Sequence, residues 1–132
     1  MRLSGIWPVK PQQMSEGELR SGLTFREALC WMMGRRQRFR VTGRSMLPTL
    51  AAGDYVLVDR QAYTKRLPNV GEITLSQHPY EHDVVLIKRV QALHGSDIWL
   101  SSDNPAEGTD SRRFGFVPAT LLLGRVTTHI DR

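Results

Sequence analysis

The stretch Asp83–Val90, D-V-V-L-I-K-R-V, is the most informative part of the sequence for the fold. Its apolar run is bounded by turn residues and is typical of a β-strand. Since successive side chains of a strand point to opposite faces, Lys88 lies on an otherwise apolar face. That face carries Val84, Leu86 and Val90. The stretch therefore predicts a strand with an amine among apolar side chains.

An amine in such a place acquires unusual chemistry. Burial disfavours the ammonium form, so the pKa of Lys88 can fall from about 10.4 towards roughly 7 to 8, where a neutral amine can act as a base. The neighbouring Arg89 cannot act in this way, because its guanidinium stays protonated. A lysine whose head group reaches solvent past an apolar surface is the alternative.

Further strand candidates lie on both sides of this stretch. A period of two begins at Phe39 and places Arg38 and Arg40 on a solvent face. The remaining candidates are separated by Gly, Pro, Asn and Asp turns; they are Tyr55–Asp59, Glu72–Gln77, Asp83–Gln91, Asp97–Ser101 and Leu122–Ile130. With no internal repeat and no alternation of strands with helices, the fold class is predicted to be mainly β.

The N-terminal part differs in character from this β-rich body. Residues 1–22 contain two prolines and three glycines and predict a flexible arm. Thr24 and Glu27 form a capping box, and Gly34 is a stop signal, so a short helix is predicted at 25–33. Its apolar stripe packs on the same domain or, alternatively, contacts a partner or a membrane surface. The domain is then 23–132, with a β core at 38–132.

Length and charge restrict the classes of protein. The 132 residues, 40% of them hydrophobic, suit one domain with a core and exclude a wholly disordered chain. The net charge is +5, but residues 1–44 hold nine bases and three acids, whereas residues 45–132 hold nine bases and ten acids. A nucleic-acid partner can therefore concern only the first third.

Cysteine content and hydropathy indicate a compartment. Cys30 is the single cysteine and cannot form an internal disulfide, so a reducing, cytoplasmic location is expected. Residues 1–10 lack the apolar region of a signal peptide, and no N-terminal apolar stretch reaches the roughly 20 residues of a membrane span. We therefore expect no transmembrane anchor, and we leave open a peripheral membrane contact and the oligomeric state.

A second informative stretch is Arg40–Asp54, R-V-T-G-R-S-M-L-P-T-L-A-A-G-D. Gly43 permits backbone conformations closed to other residues, and Pro48 fixes its own φ. Ser45 therefore lies in a shaped turn after a strand, where its hydroxyl and its N–H can both be presented. Most serines in such turns merely satisfy the turn.

Three ordered segments together resemble the type I signal peptidase clan of Ser/Lys proteases. They are S-M-L-P-T-L at Ser45–Leu50 with Gly53-Asp54, K-R at Lys88-Arg89, and D-N followed by D-S-R at Asp103-Asn104 and Asp110–Arg112. The resemblance runs from about Phe39 to the C-terminus. It implies the catalytic β core shared by signal peptidases and repressor proteases, preceded here by one short N-terminal helix.

Within that clan the chain looks most like the small maturation proteases of nickel-type superoxide dismutase. The shared runs are H-P-Y at His78–Tyr80, D-N-P at Asp103–Pro105 and L-G-R-V at Leu123–Val126. This similarity implies a serine endopeptidase that removes the N-terminal pro-segment of the dismutase precursor. The partner is then that protein substrate, with no nucleic acid involved.

The resemblance also implies roles for individual residues. Ser45 is the nucleophile, Lys88 is its general base, and the Ser45 N–H is one oxyanion donor. Gly43 and Arg44 belong to the oxyanion and support region; family members often have a hydroxyl where Gly43 stands, which leaves the second donor open. Anchored members also place a serine beside the lysine where this chain has Gly108, so Thr109 or a water molecule would have to replace it.

The remaining implied residues are support and substrate residues. Asp110 and Arg112 match a supporting ion pair, with Ser111 between them. The apolar residues matched to the lining that receives small substrate side chains are Val41, Met46, Leu50, Leu86 and Ile87. An ordinary role in the hydrophobic core is the alternative for these five.

No cofactor and no metal site are expected. His78 and His82 are four residues apart, but Pro79 and the strand context disfavour a helical metal pair. His94 and His129 are expected to have no ligand companions nearby.

Two other functions remain open from the sequence. One is a signal-peptidase-like protease with another protein substrate. The other is a basic nucleic-acid-binding module that works through Arg35–Arg44 on a degenerate protease core; the intact Ser45 and Lys88 count against it.

Overall fold

A computed structural model describes residues 6–9, as backbone, and residues 36–131. One eight-stranded antiparallel sheet has the order β1-β2-β3-β8-β4-β5-β6-β7. The strands are β1 Ile6–Val9, β2 Gln37–Val41, β3 Tyr55–Asp59, β4 Ile73–Gln77, β5 Val85–His94, β6 Asp97–Ser101, β7 Val117–Pro118 and β8 Leu122–Ile130. Helix α1, Ser111–Phe114, and a 3-10 turn, Ala119–Leu121, lie between β6 and β8.

The predicted mainly β class is confirmed, and most strand positions agree with the prediction. The bounds of β3, β6 and β8 coincide with those predicted. Strand β5 runs three residues beyond the predicted end at Gln91, because a tight turn at Gly95 lets His94 pair with Asp97 of β6. The β5–β6 hairpin returns the chain to the neighbourhood of Lys88, because Ser101 pairs with Arg89.

The N-terminal part and two edge strands differ from the prediction. Ile6–Val9, inside the predicted flexible arm, forms β1 and pairs with β2. The two-residue strand β7 was not predicted either, because so short a strand has no periodicity. The predicted helix at 25–33 and the rest of the arm lie outside the described residues.

One predicted solvent-facing arginine is buried. Arg38 is 2% exposed, and its guanidinium carbon lies 4.2 Å above the centre of the Tyr55 ring. Arg38 of β2 pairs with Leu57 of β3, and Tyr55 lies two residues away on the same strand, so the sheet register brings the guanidinium and the ring together. Phe39 and Val41 are buried as predicted, and on the opposite face Arg40 is exposed as predicted whereas Arg38 is covered.

Strand β5 separates two hydrophobic clusters. Val85 and Ile87 pack into a cluster with β2, β3, β4 and the loop that follows β2. Val84, Leu86 and Val90 pack into a second cluster with β6, β7 and Phe114 of α1. The alternation predicted for Asp83–Val90 is therefore observed, and each face of β5 has its own core.

Gly124 lies where β8 crosses between β3 and β4. It pairs with Leu75 of β4, while the next residues of β8 pair with β3. A Cβ at this position would lie 2.7 Å from the Asp59 carbonyl oxygen and 2.7 Å from Val58 Cγ1. The close approach of backbone to backbone therefore requires glycine.

We expect Gly124→Ala to lower the free energy of unfolding by about 1 to 3 kcal/mol, because the added methyl overlaps backbone that cannot move cheaply. Urea denaturation measures the change. Ser96→Ala, on the exposed turn between β5 and β6, is the control and should leave the midpoint nearly unchanged. An unaltered midpoint for Gly124→Ala would contradict the close approach.

Candidate active site

An open cleft of about 330 Å³ lies between the loop after β2, the start of β5 and the loop before α1. It brings together the predicted nucleophile and the predicted base, Ser45 and Lys88. The other lining residues are Thr42, Gly43, Arg44, His78, Glu81, Val84, Leu86, Glu107, Gly108 and Thr109.

The loop that carries Ser45 is held at both ends and in the middle. Val41 and Asp54 close its base through Val41 N–H to the Asp54 carbonyl (2.8 Å) and Gly53 N–H to the Val41 carbonyl (2.8 Å). Asn104 N–H donates to the Ser45 carbonyl at 2.8 Å, and the Asn104 side-chain amide donates to the Arg44 carbonyl at 3.0 Å. Asn104 therefore holds the two peptide groups that flank the Cα of Ser45, including the one that carries the Ser45 N–H.

Gly43 and Arg44 stand just before the serine. Gly43 has φ of +78°, in the region that favours glycine, and a Cβ there would meet no heavy atom within 4 Å. It is therefore backbone conformation, and not crowding, that calls for glycine. Arg44 is exposed and lies 3.7 Å from Glu107 across the cleft.

A second tie joins this loop to β5 and to the chain after β6. Arg89 donates two hydrogen bonds to the Asp103 carboxylate, at 2.8 Å and 2.7 Å, and Thr49 Oγ1 donates to the same carboxylate at 2.6 Å. The paired guanidinium is the main reason that the pKa of Asp103 lies below its ordinary value. The residue next to Lys88 thus anchors the loop of Ser45.

Lys88 is buried, with 3% of its surface exposed, on the face of β5 that the sequence predicted. Burial lowers the pKa of Lys88 to about 8, and the nearby Asp110 carboxylate partly opposes this by favouring the ammonium. With this pKa, roughly a tenth of the amine is neutral at pH 7 and about half at pH 8.

The Lys88 amine donates a hydrogen bond to Ser102 Oγ at 3.1 Å. The sequence predicted Thr109 or water in this role, and Thr109 lies in the cleft but is exposed. Ser102 was not predicted, because no pattern around it indicates a contact with Lys88. Its position opposite Lys88 depends on the β5–β6 pairing, in which Arg89 faces Ser101.

Gly108 lies against both predicted catalytic side chains. A Cβ on Gly108 would overlap Ser45 Cβ and would lie 3.3 Å from Lys88 Nζ. Ser45 and Lys88 therefore face a common point, and the backbone at residue 108 closes that side of the site.

The predicted support residues hold the loop before α1. The buried Asp110 carboxylate accepts from Ser102 N–H (2.9 Å), Arg112 N–H (3.0 Å) and Arg112 Nε (2.9 Å), so the implied Asp110–Arg112 ion pair is present. Burial by itself would raise the pKa of Asp110, but these hydrogen bonds hold it below the ordinary value. Ser111 Oγ accepts from Leu100 N–H at 2.8 Å.

Most residues predicted to receive substrate side chains lie in the core. Leu86 borders the cleft. The other four are at most 2% exposed and pack in the first cluster; they are Val41, Met46, Leu50 and Ile87. They pack beneath the loop that carries Ser45, because this loop turns its apolar side chains towards the first cluster.

Polar residues with no predicted role also line the cleft. His78 accepts from the backbone N–H groups of Tyr80 and Glu81 at 3.1 Å each, which orders the turn between β4 and β5. Glu81 and Glu107 add carboxylates to the lining. The only sequence signal was the H-P-Y run, which marks this turn.

His129 has ligand-type neighbours, contrary to the sequence expectation. Its Nε2 lies 2.8 Å from Asp54 Oδ2 and 3.1 Å from Asp131 Oδ1, so these three residues form a His/Asp group at the end of β8. Asp54 also accepts from Ala51 N–H at 2.9 Å. Hydrogen bonds within the protein account for the grouping, and the sequence expectation of no metal stays a prediction.

Comparison with known proteins identifies the family. The model of the signal peptidase family, peptidase S26, matches residues 24–104. Signal peptidase I of Buchnera aphidicola is 37% identical over 73 residues, which cover 46% of this chain and 23% of that enzyme. Signal peptidase I of Pseudomonas aeruginosa is 33% identical over 110 residues, 71% of this chain and 38% of that enzyme.

A mitochondrial relative is covered more fully. Mitochondrial inner membrane protease subunit 1 of Schizosaccharomyces pombe is 29% identical over 109 residues, 67% of this chain and 69% of that subunit.

Within residues 6–9 and 36–131, no helix is long and apolar enough to cross a membrane. The matched residues include the loop of Ser45 and the strand of Lys88, and the chain belongs to the signal peptidase family, peptidase S26.

Proposed function

We propose that the chain is a serine endopeptidase in which Ser45 is the nucleophile and Lys88 the general base. The observation that carries this proposal is the meeting of a loop serine and a buried lysine amine at one cleft. Family membership supports the reaction class. A serine next to a neutral amine matches the general arrangement of an activated nucleophile and its base.

The geometry is consistent with a complete acyl-transfer cycle. Neutral Lys88 accepts the Ser45 hydroxyl proton as Oγ attacks the scissile carbonyl, and the resulting ammonium returns that proton to the leaving amine. In this proposal the Ser45 N–H stabilises the oxyanion, and the Asn104 hydrogen bonds to the Arg44 and Ser45 carbonyls hold the backbone around it. Lys88 then takes a proton from a water molecule that hydrolyses the acyl-enzyme and returns it to Ser45.

The substrate we propose is the precursor of a nickel superoxide dismutase, from which the enzyme removes the N-terminal pro-segment. The support is the resemblance carried by His78–Tyr80, Asp103–Pro105 and Leu123–Val126. Two of these runs adjoin the site: His78 lines the cleft and Asn104 holds the loop of Ser45. We place the reaction in the cytoplasm, since Cys30 cannot form an internal disulfide.

A different protein substrate is the second candidate. It is favoured by the relatives, which are named signal peptidase I and mitochondrial inner membrane protease.

We expect Ser45→Ala and Lys88→Met each to reduce peptide-bond cleavage by about 10⁴-fold or more, since both act in one proton-transfer unit. The rate of the wild type should rise with pH around an apparent pKa near 8, because only the neutral amine accepts the serine proton. Cleavage of a precursor peptide followed by mass spectrometry measures both effects.

Lys65→Met, which changes an exposed lysine, is the matched control and should retain wild-type activity. Full activity in either Ser45→Ala or Lys88→Met would overturn the dyad. A rate independent of pH between 6 and 9, with chemistry rate-limiting, would argue against a lysine base.

The buried amine should also make stability depend on pH. The pKa of Lys88 is about 8 in the folded state against an ordinary 10.5, so between these values the unfolded state binds the extra proton and stability rises with pH. The difference in unfolding free energy between the wild type and Lys88→Met should change by about 3 kcal/mol in favour of the wild type when the pH is raised from 7.5 to 10.5. Urea denaturation at several pH values measures the difference, and Lys65→Met should show no such gain.

The substrate assignment has a direct test. The purified protein is mixed with a nickel superoxide dismutase precursor, and the N-terminus of the product is determined by mass spectrometry. One new N-terminus at the pro-segment boundary, absent with Ser45→Ala, is the expected result. An intact precursor, with cleavage of a secretory pre-protein instead, would favour the second candidate.

A further inference from the structure

To act as a base, the Lys88 amine has to be oriented towards Ser45 as well as neutral. A neutral lysine amine carries two N–H bonds and one lone pair, and its terminal C–N bond rotates freely. For proton transfer the lone pair must point at the serine hydroxyl, and a small error in placement costs rate. A polar group that accepts one N–H bond in a buried site limits this rotation.

Ser102 provides such an acceptor. Its Oγ lies 3.1 Å from Lys88 Nζ, and the residue is buried, with 8% of its surface exposed. We propose that Ser102 is the positioning residue that directs the Lys88 amine towards Ser45. This proposal rests on the assignment of Ser45 and Lys88 as the reacting pair.

Two features fix Ser102 in turn. It directly follows Ser101, the last residue of β6, which pairs with Arg89, and this places Ser102 beside Lys88. Its N–H donates to the buried Asp110 carboxylate at 2.9 Å, and that carboxylate is held by Arg112. The Ser102 hydroxyl therefore sits on backbone that is held on both sides.

Residue 108 also borders the amine but, as glycine, offers it no hydroxyl. Its φ of +93° disfavours any side chain, and a Cβ would overlap Ser45 Cβ and approach Lys88 Nζ to 3.3 Å. The side of the amine near residue 108 is thus closed by backbone. Thr109 is exposed to solvent, which leaves Ser102 as the hydroxyl observed on the amine.

Ser102→Ala separates positioning from a merely structural hydrogen bond. With the precursor peptide we expect kcat to fall about 10- to 100-fold and KM to stay within about twofold, since the change affects the amine and not the cleft. Ser102→Thr, which keeps the hydroxyl, should recover most of the rate. Ser76→Ala removes another buried serine away from the cleft and should leave kcat unchanged.

A second readout needs no substrate. The side-chain ¹⁵N signals of the three lysines, Lys10, Lys65 and Lys88, are followed by NMR across pH, and Lys88→Met assigns the relevant one. Loss of the acceptor disfavours the ammonium, so Ser102→Ala should lower the midpoint for Lys88 by at least about half a pH unit. Asp110, His78, Glu81, Glu107 and Arg44 also surround the cleft and are unchanged in this comparison.

The outcomes distinguish the two proposals. An unchanged kcat and an unchanged Lys88 midpoint in Ser102→Ala, with Ser45→Ala inactive, would overturn the positioning role and leave the dyad intact. Activity in Ser45→Ala would instead remove the dyad. If the precursor is not cleaved, the NMR midpoint alone decides.

Discussion

The burial of one amine organises this molecule. Lys88 lies on the face of β5 that carries Leu86 and Val90, with 3% of its surface exposed. An ammonium in that place is costly unless it is neutralised or partnered. The protein meets this constraint with a lowered pKa, one hydroxyl acceptor and a carboxylate nearby. Each of these features depends on a different element, so the amine links β5, β6 and the loop before α1.

The polar residues around the amine mainly connect segments of the chain through hydrogen bonds. Asp110 joins the chain after β6 to the start of α1, and Asp103 joins β5 to the loop of Ser45 through Arg89 and Thr49. Buried carboxylates that accept several hydrogen bonds stay ionised and hold their partners in place. The serine and the lysine therefore come from distant parts of the chain but are held against each other by short polar links.

Much of the fold was predictable because its strands carry local signals. The period of two in Asp83–Val90 correctly placed Lys88 with Leu86 and away from Arg89, and turn residues marked the ends of β3, β6 and β8. Strand β1 was not predictable, because Ile6–Val9 is defined by its partner β2. Arg38 was misplaced for the same reason: period alone does not say whether the outer face is covered.

The chemistry of the candidate site divides in the same way. Local sequence was sufficient to indicate a serine in a glycine and proline turn and a lysine on an apolar face, since both depend on neighbours within a few residues. Other features depend on contacts between distant segments. Ser102 rather than Thr109 contacts the amine, Val41 and Ile87 lie in the core rather than in the cleft, and residue 108 has to be glycine. Sheet register and loop packing determine such contacts, and neither can be read from a single strand because both are properties of the paired chain.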